Sequence, residues 1–167
     1  VLNPNQKYLL IGHSDGGSIA MIMASRRPKN LSAVVTMAAH TFVEEETLAG
    51  IHPAIIAFET GKLKGLYEIH RLKTKKLFYD WANTWLSDTF RSWDIRSEIQ
   101  DFGIPVLAIQ GNNDQYGTQE QVNSIVSDHK NRKGSMIPGC GHHPHLEMKD
   151  WVIAEVENWI NTVLFKP

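Results

Sequence analysis

From residue 8 the chain reads "YLLIGHSDGGSIAMIMASRRP". Tyr8 to Ile11 is an apolar run of strand formers that ends at Gly12. From Ser18 to Arg27 the apolar residues Ile19, Ala20, Met23 and Ala24 recur at helical spacing, and Pro28 marks the end of that helix. A plain strand-to-helix link needs no glycine two residues before and two residues after a serine. Gly12 and Gly16 around Ser14 predict a turn in which the strand and helix backbones approach too closely for side chains. Such a turn lifts the Ser14 hydroxyl above the end of the strand. A strand that feeds a helix through a sharp turn belongs in an α/β sheet.

The rest of the chain repeats the alternation. Leu31 to Ala39, "LSAVVTMAA", is apolar or β-branched at nearly every position, which predicts a strand covered on both faces, as in parallel sheets. Ile104 to Gly111, "IPVLAIQG", repeats the pattern, and "GSMIPGCG" is a shorter, weaker version. Between residues 150 and 164 Val152, Val156, Trp159, Ile160 and Val163 form one helical stripe that should lie on the sheet. Residues 41 to 100 interrupt the order with no convincing strand. They are too long for a βα crossover and too well patterned for disorder. The expected architecture is α/β: a mostly parallel sheet of about four strands flanked by helices. Its core comprises residues 1–40 and 101–167, and 41–100 form a helical insertion.

The chemistry concentrates in three places. Gly-x-Ser-x-Gly between a strand and a helix is a nucleophile elbow, with the serine at the positive end of the helix. The backbone N–H of Asp15 is the expected oxyanion donor there. "GNNDQYGT" puts Asp114 just beyond an apolar strand, and "GCGHHPHLE" puts His142 in the loop after the next one. A hydroxyl to attack, an imidazole to carry its proton and a carboxylate to orient the imidazole are the three parts nucleophilic acyl transfer requires. All three residues fall at the C-terminal ends of candidate parallel strands, where open α/β sheets place their sites. His142 follows Gly141 directly and is preferred to His143, the alternative. "HHPH" also invites a zinc reading, but Cys140 is the single thiol and further ligands at defined spacing are missing. No metal and no cofactor are expected.

These motifs resemble the α/β-hydrolase-fold serine hydrolases. "GHSDGG", "GNNDQYGT" and "GCGHHPHLE" match that family's elbow, acid and histidine motifs, and the helical insertion falls where the family carries its cap. Within the family the chain is most similar to the valacyclovir-hydrolase-like enzymes and the ring-cleavage hydrolases of carbon–carbon bonds. The resemblance implies a triad of Ser14, His142 and Asp114 acting on a small ester, thioester or related acyl substrate. The alternatives are carbon–carbon bond hydrolysis by the same triad, or a weakly active module. It covers the family's C-terminal two-thirds, from the nucleophile strand onward. The family's earlier strands and second oxyanion donor would then lie upstream of Val1. With no strand beside it, Tyr8–Ile11 would expose a bare apolar edge, which predicts a homodimer or a missing N-terminal partner segment.

Around this centre His13, His40, Trp81 and Trp85 are candidate pocket residues. His13 could equally pack beside the elbow, His40 could cap its strand, and the tryptophans could be the insertion's own core. The formal net charge of −1 offers no attraction for nucleic acid, and the Lys62 to Lys76 basic run reads as a solvated face. No apolar run approaches the ~20 residues of a membrane span. One cysteine leaves no internal disulfide, which fits a reducing, cytoplasmic setting. The expected partner is a small molecule.

Overall fold

The computed structural model describes residues 5–100, 102–127 and 129–165. The four apolar runs form one sheet in the order β1 (Tyr8–His13), β2 (Leu31–Met37), β3 (Val106–Gly111), β4 (Arg132–Ile137), and every pair is parallel. All of β3 and nearly all of β2 are buried, as expected for strands covered on both faces.

Helix α1 (Asp15–Ser25) links β1 to β2, and α5 (Gln119–Val126) links β3 to β4. Gly134 of β4, which pairs with Ala108, leaves room for Val122 of α5, so α5 covers the face that carries Ala108 and Thr36. The opposite face carries Ala33, Val35, Met37, Leu107, Ile109 and Ile137. Val152 and Trp159 of the last helix, α7 (Lys149–Leu164), are buried against them. Val156, Ile160 and Val163 pack alongside, so the whole predicted stripe lies on the sheet. Each such side chain taken out of water contributes roughly 1.5–3 kcal/mol.

The chain divides into two compact units, one of them running from Val43 to Trp93. That helical unit contains α2 (Glu45–Glu59), α3 (Gly65–His70), a 3₁₀ turn (Arg71–Lys73) and α4 (Thr74–Leu86). Its interior combines aromatic rings with the buried aliphatic residues Leu48, Ile51 and Ala82. Phe58 and Phe78 stack at 4.0 Å between ring centroids, and Trp85 meets Phe90 and Trp93 edge-on.

The unit is narrower than the 41–100 read from composition, and hydrogen bonds explain the difference. Gln121 of α5 accepts the Thr41 N–H and donates to the Phe42 carbonyl, which keeps both residues with the sheet. The returning chain is caught by Ile95 N–H on the Thr41 carbonyl and by a Phe42–Asp94 bridge. Arg132 then donates to the carbonyls of Ile99 and Gln100. The stretch from 87 to 100, expected to be helical, forms turns instead. Ser87, Asp88 and Thr89 favour turns over helix, and the Asp94 carboxylate takes the Arg96 N–H. Among the described residues no helix is long and apolar enough to cross a membrane.

Candidate active site

The pairing of the sheet runs on into the loops that follow it. Ser14 N–H donates to the Met37 carbonyl, Ala38 N–H to Ile109, and Asn112 N–H to Ile137. The C-terminal ends of all four strands are therefore stitched in sequence, and the loops that leave them start side by side.

At the end of β1 the backbone turns at Ser14, whose φ of 53° and ψ of −125° lie where a residue with a side chain is strained. That conformation costs on the order of 1–3 kcal/mol. A Cβ on Gly12 would overlap the Gly16 carbonyl, so the first glycine of the elbow is sterically required. The second is not required in the way its spacing implied. A Cβ on Gly16 would meet nothing within 4 Å, whereas one on the next residue, Gly17, would sit 2.7 Å from the Ala39 Cβ. Asp15 opens α1, which leaves its N–H at the positive end of the helix.

At the end of β3 a Cβ on Gly111 would overlap the carbonyls of Cys140 and Gly141, so the acid loop and the histidine loop run in backbone contact. Asn113 N–H closes that contact on the Cys140 carbonyl at 2.9 Å. Asp114 projects from this loop with its side chain fully buried, and His142 with 6% of its side chain exposed. His142 Nδ1 lies 2.9 and 3.0 Å from the two Asp114 oxygens, and Nε2 lies 3.0 Å from Ser14 Oγ. With Nδ1–H donating to the carboxylate, Nε2 is left as the acceptor that faces the serine hydroxyl. This arrangement can deprotonate Ser14 and hand the proton back.

Asp114 has two further partners that no motif suggested. Tyr116 N–H donates to Oδ1 at 2.9 Å, and Gln110 Nε2 donates to Oδ2 at 3.2 Å and to the Gly117 carbonyl at 2.8 Å. The one sequence hint was a glutamine in an otherwise apolar strand. The Tyr116 ring stands edge-on to His142 at 4.7 Å, and burial pushes its phenol pKa up.

The other candidates separate. His13 belongs to the cluster: its Nε2–H donates to the His142 carbonyl at 2.8 Å. Burial pulls its pKa down to about 4, so the ring is neutral near pH 7. His143 and His145 lie on its other sides, with centroids at 5.1 and 4.6 Å. His40 is buried, its backbone N–H and carbonyl both bonded to the Ser18 hydroxyl and its ring centroid 6.1 Å from that of His142. Trp81 and Trp85 belong to the helical unit, Trp81 tilted on Phe78 and Trp85 buried between Phe90 and Trp93. Among the described residues no group of His, Cys, Asp and Glu is arranged to hold a metal.

Residues 2–56 match the family model described as alpha/beta hydrolase fold. A serine hydrolase involved in carbazole degradation (CarC) superimposes with a TM-score of 0.74, covering 96% of this chain. This is an α/β-hydrolase fold. Identity to that hydrolase is 18%, and the chain covers 66% of it. The meta-cleavage product hydrolase CumD from Pseudomonas fluorescens IP01 gives a TM-score of 0.63 at 17% identity, with 93% of this chain and 65% of that one aligned. Proline iminopeptidase from Mycobacterium smegmatis gives 0.63 at 19% identity, with 93% and 65% aligned. The chain thus spans about two thirds of the length of these α/β-hydrolase structures. No curated protein sequence matches it.

Proposed function

We propose that this chain carries the catalytic machinery of a serine hydrolase acting on a small ester, thioester or related acyl compound. The observation that carries the reading is the continuous relay from Asp114 through His142 to Ser14, with each bond at 2.9–3.0 Å. Ser14 Oγ attacks the carbonyl carbon as its proton passes to His142 Nε2. The resulting oxyanion is stabilised at the start of α1, where the Asp15 N–H is the proposed donor. The intermediate collapses, and the leaving group departs with the proton held on Nε2. Water then attacks the acyl-enzyme as one of its protons passes to Nε2, and that proton goes on to Ser14 Oγ as the acid is released. Asp114, held by Gln110 and Tyr116, keeps the imidazole in the required tautomer. No metal or cofactor is needed in this sequence. Helices α2–α4 are proposed as the family's cap insertion.

The test is labelling with a fluorophosphonate probe. The chain should label, and Ser14→Ala should abolish labelling, because the probe bonds covalently to the serine Oγ. A folded chain that does not label is an inert module rather than an enzyme. Hydrolysis of a carbon–carbon bond is the second reading, supported by the meta-cleavage product hydrolase among the neighbours. Turnover of a ring-cleavage dienoate in preference to p-nitrophenyl esters would select it.

Self-association belongs to the same proposal. β1 lies at an edge of the sheet, and Ile11, Ile19 and Met23 on it and on α1 are 56%, 56% and 44% exposed. An edge that has no partner strand among the described residues, beside apolar side chains, favours pairing with a second polypeptide. Light scattering on the 167-residue chain at tens of micromolar should give a dimer. A well-folded monomer would discard this part.

A further inference from the structure

The histidine of the relay sits on a loop, and a loop alone does not hold a ring nitrogen to within a few tenths of an ångström. Three contacts to the backbone around His142 supply the rigidity. His13 Nε2–H donates to the His142 carbonyl at 2.8 Å from the residue that precedes the nucleophile. On the other side, both Glu147 carboxylate oxygens accept backbone N–H groups: Gly141 N–H on Oε2 at 2.7 Å and His143 N–H on Oε1 at 2.9 Å. Those two residues flank His142 on either side in the chain. Glu147 reaches them because the loop turns at once into α6 (Pro144–Glu147), whose Glu147 N–H bonds back to the His143 carbonyl. The two bonds it accepts hold its carboxyl below the ordinary glutamate range.

Glu147 is exposed and touches neither Asp114 nor Ser14 through a hydrogen bond, so packing does not explain it. The bidentate grip does. A carboxylate that accepts two N–H groups spaced by one residue fixes the orientation of the peptides between them. His13 ties the same segment to the elbow. The two contacts therefore set the Ser14–His142 separation from opposite sides.

We infer that His13 and Glu147 are positioning residues that clamp the backbone of His142 so that its Nε2 stays in line with Ser14 Oγ. The inference rests on the serine-hydrolase reading for its kinetic consequence but not for its structural one. Two measurements keep the readings apart: the rate of fluorophosphonate labelling, and the NMR signal of the His142 Nδ1 proton held by Asp114.

Glu147→Ala and His13→Leu should each slow labelling by about tenfold through misalignment of the base. The Nδ1 proton signal should broaden or move, while the urea midpoint stays close to that of the parent chain. Glu147→Gln keeps one acceptor oxygen and should recover part of the rate. His13→Gln keeps a side-chain N–H donor and should do the same. Labelling within twofold of the parent in both Glu147→Ala and His13→Leu would overturn the clamp, as would a slowed rate that Gln does not restore at either position. If the parent chain itself does not label, the serine-hydrolase reading fails and the proton signal alone decides. An Nδ1 signal unchanged in Glu147→Ala and His13→Leu would then overturn the clamp, and a shifted one would support it.

Discussion

In the sheet unit a line of polar side chains runs from Gln110 through Asp114 and His142 to Ser14, with every link a hydrogen bond. In the helical unit, residues 43–93, the interior is mostly apolar, rings packed with Leu48, Ile51 and Ala82. Phe58 stacks on Phe78, Trp85 packs on Phe90 and Trp93, and the buried hydroxyl of Thr74 bonds only to the nearby carbonyls of Leu66 and Arg71. Both units exclude water from a core, but by different rules. Ring packing tolerates any side chain of similar shape and volume. A buried hydrogen-bonded line tolerates almost no change, because a lost partner leaves a desolvated group behind. The sheet unit is therefore the one whose geometry the chemistry can rely on.

The contrast is tested most severely at the elbow. Gly12→Ala forces a Cβ into the Gly16 carbonyl, which no side-chain rotation relieves. It should destabilise the chain by about 3 kcal/mol or more, measured as a lowered urea midpoint. Gly16→Ala, two residues beyond Ser14, meets open space and should change stability by less than about 1 kcal/mol. Equal costs at the two positions would mean that the elbow is not the tight element described.

In the helical unit the largest single loss should come from Phe78→Ala, at about 3 kcal/mol from lost transfer and the cavity left behind. Phe78→Leu should recover most of it, because ring packing asks for volume. Near-complete recovery by leucine there, and none by any substitution of Gly12, would sharpen the distinction.

A smaller effect than those at Gly12 and Phe78 is acid lability. The His13 pKa is lowered by burial to about 4 from an ordinary 6.5, so the unfolded chain takes up a proton that the folded chain refuses. The sign follows: stability is full above about pH 6.5, falls as pH drops toward 4, and is constant below that as far as this group is concerned. The loss should be on the order of 2 kcal/mol after solvent screening of a partly exposed ring is allowed for. Urea midpoints between pH 7 and pH 4 measure it, and His13→Gln should flatten the slope. His143, also lowered by burial, adds a drift of the same sign. A slope unchanged in His13→Gln would assign the lability elsewhere.

Much of the fold can be read along the chain, because the information is local. The four apolar runs, the turn around Ser14 and the stripe on α7 are patterns within single elements. The first three strands formed within two residues of their expected bounds, whereas the fourth, expected over 134–141, spans Arg132–Ile137. The limits of the helical insertion could not be read this way. Thr41 and Phe42 stay with the sheet through Gln121, some 80 positions away, and nothing near them in the sequence announces it. The aromatic residues of the insertion are visible in composition, but which rings meet which is set by how α2 and α4 pack.

For the candidate site the division is sharper. The sequence alone determined that a serine would be held on a strained turn, because Gly12, Ser14 and Gly16 lie within a few bonds of one another. The need for glycine at 17 arises instead from Ala39, just past the end of the neighbouring strand. It determined also that a carboxylate and a histidine would follow, each just past a strand. Only the tertiary structure decided that His142, rather than His143, meets Ser14 and Asp114. It alone brought Gln110 to the carboxylate and His13 to the His142 carbonyl, and it alone curled Glu147 back onto the two flanking amides. The physical reason is distance along the chain. A turn is governed by the dihedral angles of adjacent residues, which the residue types constrain directly. A hydrogen bond between residues 128 positions apart, as between Ser14 and His142, exists only after the strands have paired and set their ends side by side.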